Sequence, residues 1–308
     1  MTSLAPIVLF VYNRPWHTQQ TVKALQKNKL ASESELFIYS DEAKNEDARV
    51  SVDEVRKYID NITGFKKITV IKRDKNWGLA DSIIDGVTKI VNEYGRIIVL
   101  EDDLVTSPYF LQFMNESLEF YEDEEKIWHV SGWNYPIETD GLNNVFLCRV
   151  MNCWGWATWA DRWRHYEKDV DKTMEEFSKD DIKRFNLDGV EDFFGQVTAN
   201  YEKKINTWAI FWYATIFKHE GLCLNPAQTF VENIGLDASG ENCGISTMYT
   251  NKNILNDYNY VNASIAEDDV FLEKIKDFYK MNKKTNVQKL INYVSYKYYR
   301  SFNFKNIT

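Results

Sequence analysis

Between residues 6 and 130, apolar runs that end in polar turns alternate with stretches of helical periodicity. Residues 6–12 (PIVLFVY) are apolar without interruption up to Asn13-Arg14-Pro15, the pattern of a buried strand stopped by a turn. From Thr18 onward Val22 and Leu25 form a helical stripe that breaks at Asn28, and Leu36–Tyr39 is the next strand, ending at Ser40-Asp41. The unit then repeats. Residues 48–60 place Val52, Val55 and Ile59 on one helical face, Ile68–Ile71 is a strand ending at Arg73-Asp74, and Leu79–Asn92 is a helix with Ile83, Val87, Ile90 and Val91 on its apolar side. It leads to the strand Arg96–Leu100, which ends at Glu101-Asp102-Asp103, and a helix at 108–122 and a strand at 126–130 follow.

Short apolar strands alternating with amphipathic helices predict an α/β fold with a mostly parallel sheet covered on both faces. Ligands of such sheets sit beyond the carboxyl ends of the strands. Here those ends carry Asn13-Arg14, Asp41, Arg73-Asp74 and the acidic triplet, so polar groups collect where a site is expected. After residue 126 the pattern changes, and eight of the ten tryptophans fall between Trp128 and Trp212. Trp154-Gly155-Trp156-Ala157-Thr158-Trp159 reads as the opening of a helix whose Trp156, Trp159 and Trp163, at i, i+3 and i+7, are core. Trp133 and Trp154, near loop ends, are candidates for contact with a ligand, because aromatic faces pack well on apolar ring surfaces. The expected organisation is one domain over 1–250, with a first half (1–125) continuous with a substrate-binding half (126–250), followed by a basic, aromatic helical extension over 251–308. No internal repeat or low-complexity linker interrupts it.

Charge and composition exclude some classes. Thirty-seven Lys+Arg against 46 Asp+Glu give a net charge of −9, which argues against a protein that coats nucleic acid. Cys148, Cys153, Cys223 and Cys243 show no CxxC pairing and read as reduced thiols. The apolar stretch Ile7–Val11 is too short to span a membrane and lacks the flanks of a signal peptide, so a cytoplasmic protein is expected. The segment Glu273–Thr308 is different: nine Lys/Arg accompany only Glu273 and Asp277. It either packs on the acidic domain, through Leu272, Ile275, Leu290, Ile291 and Val294, or rests peripherally on an anionic membrane.

The consecutive carboxylates of Val99-Leu100-Glu101-Asp102-Asp103, delivered by an apolar strand to its exposed end, suit a hard divalent cation that would offset charge on a diphosphate. Acidic pairs at strand ends also serve as solvated loops or helix caps. FVYNRP, YSDEAK, RDKNWGLADSIIDGV, VLEDDLVTSPYFLQF, VSGWNYP and CWGWATWADRW, taken together over residues 5–245, resemble glycosyltransferases of the GT-A fold. The likeness is to bacterial sugar transferases similar to N-acetylglucosaminyltransferase I. It implies a Rossmann-like GT-A domain, a nucleotide-sugar donor, a glycan or lipid-linked saccharide acceptor, Mn²⁺ or Mg²⁺, and transfer with inversion by a single displacement.

The resemblance also implies roles. Arg14 matches the basic residue facing the donor diphosphate, Asp41 an acid near the base, Asp103 the metal ligand, and Asp102 and Glu101 residues close to ribose and donor sugar. Arg73 and Asp81 belong with the same donor-binding set, Asp81 in a helix that starts beside the donor at Asn76-Trp77-Gly78. Read by themselves, Arg14 fits a surface ion pair, Asp41 a helix N-cap and Asp81 a first-turn acid. An inverting transferase needs a general base, usually a carboxylate. The matching stretch Asn206–Trp212 has Ala209 in the acidic position, which leaves Asp161, Glu232 and Asp237 as substitutes. Asn233–Cys243 resembles a loop that closes over donor, with Asn242 where a His often stands. Two other functions fit parts of the pattern: a sugar nucleotidyltransferase, disfavoured by the lack of a Gly-rich phosphate loop, and a non-catalytic nucleotide-sugar-binding protein, compatible with Ala209.

Overall fold

A computed structural model describes residues 3–237, 239, 248–250, 254–255 and 262–283. The chain order begins β1 (Ile7–Val11), α1 (Pro15–Gln26), β2 (Glu35–Ser40), α2 (Glu46–Ile59), β3 (Lys67–Lys72), α3 (Leu79–Tyr94), β4 (Arg96–Glu101), β5 (Leu104–Thr106), α4 (Phe110–Phe120) and β6 (Ile127–Ser131). The strands found by apolar continuity stand where the sequence places them. The second half contains β7 (Val145–Cys148), β8 (Trp156–Trp159), α5 (Ala160–Trp163), α6 (Val170–Glu176), α7 (Lys179–Phe185), α8 (Phe194–Tyr201), α9 (Ala209–Lys218), β9 (Leu222–Pro226), β10 (Val231–Asn233) and α10 (Asp269–Asn282).

Eight strands form one sheet in the order β3-β2-β1-β4-β8-β6-β9-β7, and β5 pairs with β10 beside it. β1 to β4 are parallel, β8 runs antiparallel to both β4 and β6, and β7 runs antiparallel to β9. Alternation along each strand feeds two cores. Ile7, Leu9 and Val11 of β1 face Val22 and Leu25 of α1, Val55 and Ile59 of α2, and the apolar side of α4. Val8 and Phe10 face Ile83 and Val87 of α3 on the other side. Helices therefore cover both faces, and β1, β2 and β4 read as unbroken apolar runs because neither face meets water, whereas the edge strand β3 is half-buried.

One expectation is corrected. Trp156–Trp159 is a strand, not the start of a helix, and its tryptophans are divided: Trp156 joins the core with Trp163 and Trp212, whereas Trp159 packs on the opposite face. The preceding Gly155 has φ +66, outside helical space, and Gly132 donates its N–H to the Gly155 carbonyl at 2.7 Å. A Cβ on Gly132 would lie 2.5 Å from the Phe110 ring, which explains why both Trp-bearing loops carry a glycine.

α10 packs against the sheet half through Phe271, Leu272, Ile275, Phe278 and Tyr279, with Phe271 stacked on Phe146 at 3.8 Å. Leu290, Ile291, Val294 and most of the basic tail lie outside the described residues, as do Asn242 and Cys243. Cys148, Cys153 and Cys223 are free thiols. Among the described residues no helix is long and apolar enough to cross a membrane.

Candidate active site

The parallel register pairs Phe10 of β1 with Glu101 of β4, so the chain leaving each strand rises side by side and brings Arg14 to Asp102 and Asp103. These ends, with those of the Asp41 and Asn76-Gly78 turns, enclose a cavity of about 110 Å³. Pro15 at the start of α1 fixes the turn that follows Arg14.

Arg14 is the electrostatic centre. One terminal nitrogen, Nη2, bonds Asp102 Oδ1 and, at 2.9 Å, Asp103 Oδ2. Burial works against its charge, but the two carboxylates more than offset this and raise its pKa. The other terminal nitrogen, Nη1, is buried without a hydrogen-bond partner. One guanidinium does not balance three acids. Burial, aided by Asp103 and Asp102, pushes Glu101 up to about 8; burial also raises Asp102, with Arg14 opposing and Asp103 adding to the rise. The site is short of positive charge, and it has one buried donor left unsatisfied.

Asp41, 6% exposed, lines the cavity, with both oxygens engaged: Oδ1 accepts from the backbone N–H groups of Glu42 and Trp77, each at 2.9 Å, and Oδ2 from Gly78 N–H at 2.8 Å and Asn76 Nδ2 at 3.1 Å. It ties the turn before α3 to the end of β2. Gly78 takes φ +72 there, in the region where only glycine is unstrained. Arg73 and Asp81, expected in the donor-binding set, do not line the cavity. The Arg73 guanidinium lies against the Tyr39 and Trp77 rings, at 4.8 and 4.1 Å, and Nη2 pairs with Asp85 at 2.6 Å. It therefore supports the wall from behind Tyr39. Asp81 is exposed in the first turn of α3, the position favoured for an acid by the helix dipole.

The three base candidates separate in space. Because β8 is antiparallel to β4 and pairs Trp159 with Arg96, Asp161 lies beyond the amino end of β4, at the opposite edge of the sheet from Asp103, where it binds Arg162 at 2.6 Å. Asp237 Oδ2 meets His17 Nε2 at 3.1 Å and its Oδ1 accepts from Ser239 N–H at 2.9 Å. Burial acts to raise the Asp237 pKa, but Ser239 and His17 more than offset it and leave the group below the usual carboxylate range. Glu232 sits half-buried on β10, opposite Val105. The segment after it covers the acids: Ile234 N–H bonds the Asp103 carbonyl at 2.9 Å, and a Cβ on Gly235 would fall 2.0 Å from Asp103 Oδ2.

Trp133 and Trp154 meet at a ring distance of 4.7 Å. They line a separate cavity with Ala209, rather than the one bounded by Arg14. His17 and Gly235 were not singled out by sequence. His17 carries no motif, and its partner stands 220 positions away; Gly235 was visible only as one glycine of a loop.

Residues 7–126 match the family described as Glycosyl transferase family 2. That stretch runs from β1 almost to β6 and contains every described residue of the Arg14 cavity except Ser239. The mostly parallel, helix-covered sheet is consistent with the GT-A fold, and the family that this stretch matches is one of glycosyltransferases. Among solved structures the chain is similar to S. aureus TarS (13% identity, 45% of this chain and 22% of that one, TM-score 0.30). It is similar also to the mannosyltransferase PcManGT from Pyrobaculum calidifontis, solved with GDP-Man and Mn²⁺ (9%, 71% and 72%, TM-score 0.36), and to mouse xyloside xylosyltransferase 1 in its apo form (12%, 70% and 82%, TM-score 0.37). At these TM-scores the likenesses carry no weight beside the family match. No curated protein matches the chain in sequence.

Proposed function

We propose that the chain is a divalent-metal-dependent, inverting glycosyltransferase that moves a sugar from a nucleotide-sugar, of the UDP-sugar type, to a glycan or lipid-linked saccharide in bacterial surface-polysaccharide synthesis. The bacterial pathway and the kinship with N-acetylglucosaminyltransferase I rest on the motif residues alone. The observation that carries the donor site is the Arg14 cluster: a buried Nη1 without a partner, set among three acids at the carboxyl ends of β1 and β4.

In this reading Arg14 Nη1 donates to a diphosphate oxygen, and Asp41 keeps the Asn76-Gly78 turn at the distance the base and ribose require. Among the described residues no three His, Cys, Asp or Glu side chains form a self-sufficient metal centre. The set nevertheless fits Mn²⁺ or Mg²⁺ in kind, because Asp102 and Asp103 are hard oxygen donors in a site with surplus negative charge, and the remaining ligands would come from diphosphate and water. Asp103 would hold the ion, with Asp102 beside it. When bound, such an ion stabilises the charge that develops on a departing nucleotide.

For the base, Glu232 is the carboxylate we favour, since Asp161 stands at the far edge and Asp237 is committed to His17 and Ser239. Calorimetric titration of UDP with Mn²⁺ tests the donor site: wild type binds, Asp103→Asn loses at least tenfold in affinity, and EDTA abolishes donor turnover. Unchanged UDP affinity in Asp103→Asn would exclude the assignment. Glu232→Gln should lower kcat by about 10²-fold or more with donor affinity kept.

A further inference from the structure

The second cavity, of about 250 Å³, lies along the same sheet edge as the first. β8 pairs Trp156 with Val99 of β4 and with Ser131 of β6. Carried two residues further, that register sets Trp154 level with Glu101 on one side and with Trp133 on the other. The cavity therefore follows the Arg14 cavity directly, one strand across.

Its lining is unlike that of the first. Trp133, Trp154, Tyr249 and Tyr279 supply rings, Asn152 and Gln196 supply amides, and among the described residues no charged side chain takes part. The rings meet edge to face: Trp133 with Trp154 at 72°, Trp154 with Tyr249 at 90° and Trp133 with Tyr249 at 68°. Trp154 and Tyr249 are only half-buried, so part of their ring surface is open to a ligand. Trp133 is 3% exposed, yet its Nε1 has no hydrogen-bond partner. A buried indole N–H is normally satisfied, and leaving it so carries a desolvation cost that a ligand oxygen would remove. The volume is below the roughly 300–1,000 Å³ of pockets that enclose drug-sized ligands, which suits a single ring.

We propose that this cavity binds one neutral pyranose ring, held by its C–H face against Trp154 and Tyr249 and by a hydrogen bond from Trp133 Nε1 to a ring substituent. Calling that ring part of the acceptor rests on the donor reading above. Neutrality follows from the lining, because an ionised sugar would lose its hydration with no counter-charge to replace it. The site includes α10: its Tyr279 forms part of the wall, and the Tyr279 hydroxyl bonds that of Tyr135 at 3.2 Å.

Saturation-transfer NMR on the full chain, with the methyl glycosides of glucose, galactose, mannose and N-acetylglucosamine and with methyl glucuronide as the charged comparator, tests the proposal. At least one neutral glycoside should receive saturation, strongest at its ring C–H protons, and the glucuronide should bind at least tenfold more weakly. Trp154→Ala should weaken the neutral glycoside roughly tenfold. Tyr249→Ala provides a second variant, and far-UV circular dichroism with a thermal melt reports whether each remains folded. Absence of binding by every neutral glycoside, equal binding of the glucuronide, or binding unaffected by both substitutions would each overturn the proposal. Glycoside binding without any UDP binding would remove the donor reading and leave this sugar site standing.

Discussion

Arg14 performs two tasks with one guanidinium. Through Nη2 it separates two buried carboxylates that would otherwise face each other, and through Nη1 it offers a donor to the cavity. Arg14→Ala should therefore cost about 3 kcal/mol in urea unfolding, the penalty of stranding buried charge, in addition to any loss of nucleotide affinity. Arg14→Lys should recover part of the stability but less of the affinity, since a single ammonium cannot bridge and donate in the same planar fork. Gly235 gives a sharper probe. With a Cβ 2.0 Å from Asp103 Oδ2 and 2.8 Å from Arg14 Nη1, Gly235→Ala must part the chain from the acids, and UDP affinity should fall at least tenfold while the thermal midpoint moves little. The position of Arg14 and Asp103 at one edge of the sheet was readable because each follows an apolar strand by two or three residues. The engagement of Asp41 with the next turn was not, because its four donors come from backbone and amide groups that any residues could bring there.

The elements show the same division. β1, β2 and β4 were plain in the sequence, since strands buried on both faces need apolar residues at nearly every position. β8 was misread because Trp-Ala-Thr-Trp satisfies a helical spacing as well as a strand, and only pairing with β4 and β6 decides between them. Gly155 enforces that outcome at φ +66, with its Cβ position 3.0 Å from Val231 and 3.1 Å from Phe110. Gly155→Ala should destabilise by about 1–3 kcal/mol in chemical denaturation, from left-handed strain and the displaced contacts. Reversal of β8 also explains the position of Asp161: in sequence it follows a Trp motif, but the antiparallel strand carries it to the other edge of the sheet.

Across the whole molecule, one polar residue in the core ties β6 to α9 and to the loop before β8. His129 of β6 is fully buried, accepts from Trp212 of α9 at Nδ1 (3.2 Å) and donates from Nε2 to the Asn152 carbonyl (2.9 Å). Burial lowers its pKa to about 3. The unfolded chain takes up this proton near pH 6.5 and the folded chain does not, so stability is complete above about 6.5 and declines as pH falls toward 3, by up to about 1.4 kcal/mol per unit. Urea midpoints at pH 7, 6 and 5 should show that slope, and His129→Gln, which keeps a donor and an acceptor, should flatten it. By itself the sequence determined the parallel α/β half, the charged strand ends and the acidic triplet, because these follow from local periodicity and from what a doubly covered strand can tolerate. Only the tertiary structure decided which acids share a cavity, that Arg73 stands behind the wall, that His17 meets Asp237, and that tryptophans from two loops and a tyrosine from α10 surround one aromatic chamber. Those are contacts between residues far apart in the chain, and strand order and direction, which no local pattern encodes, bring them together.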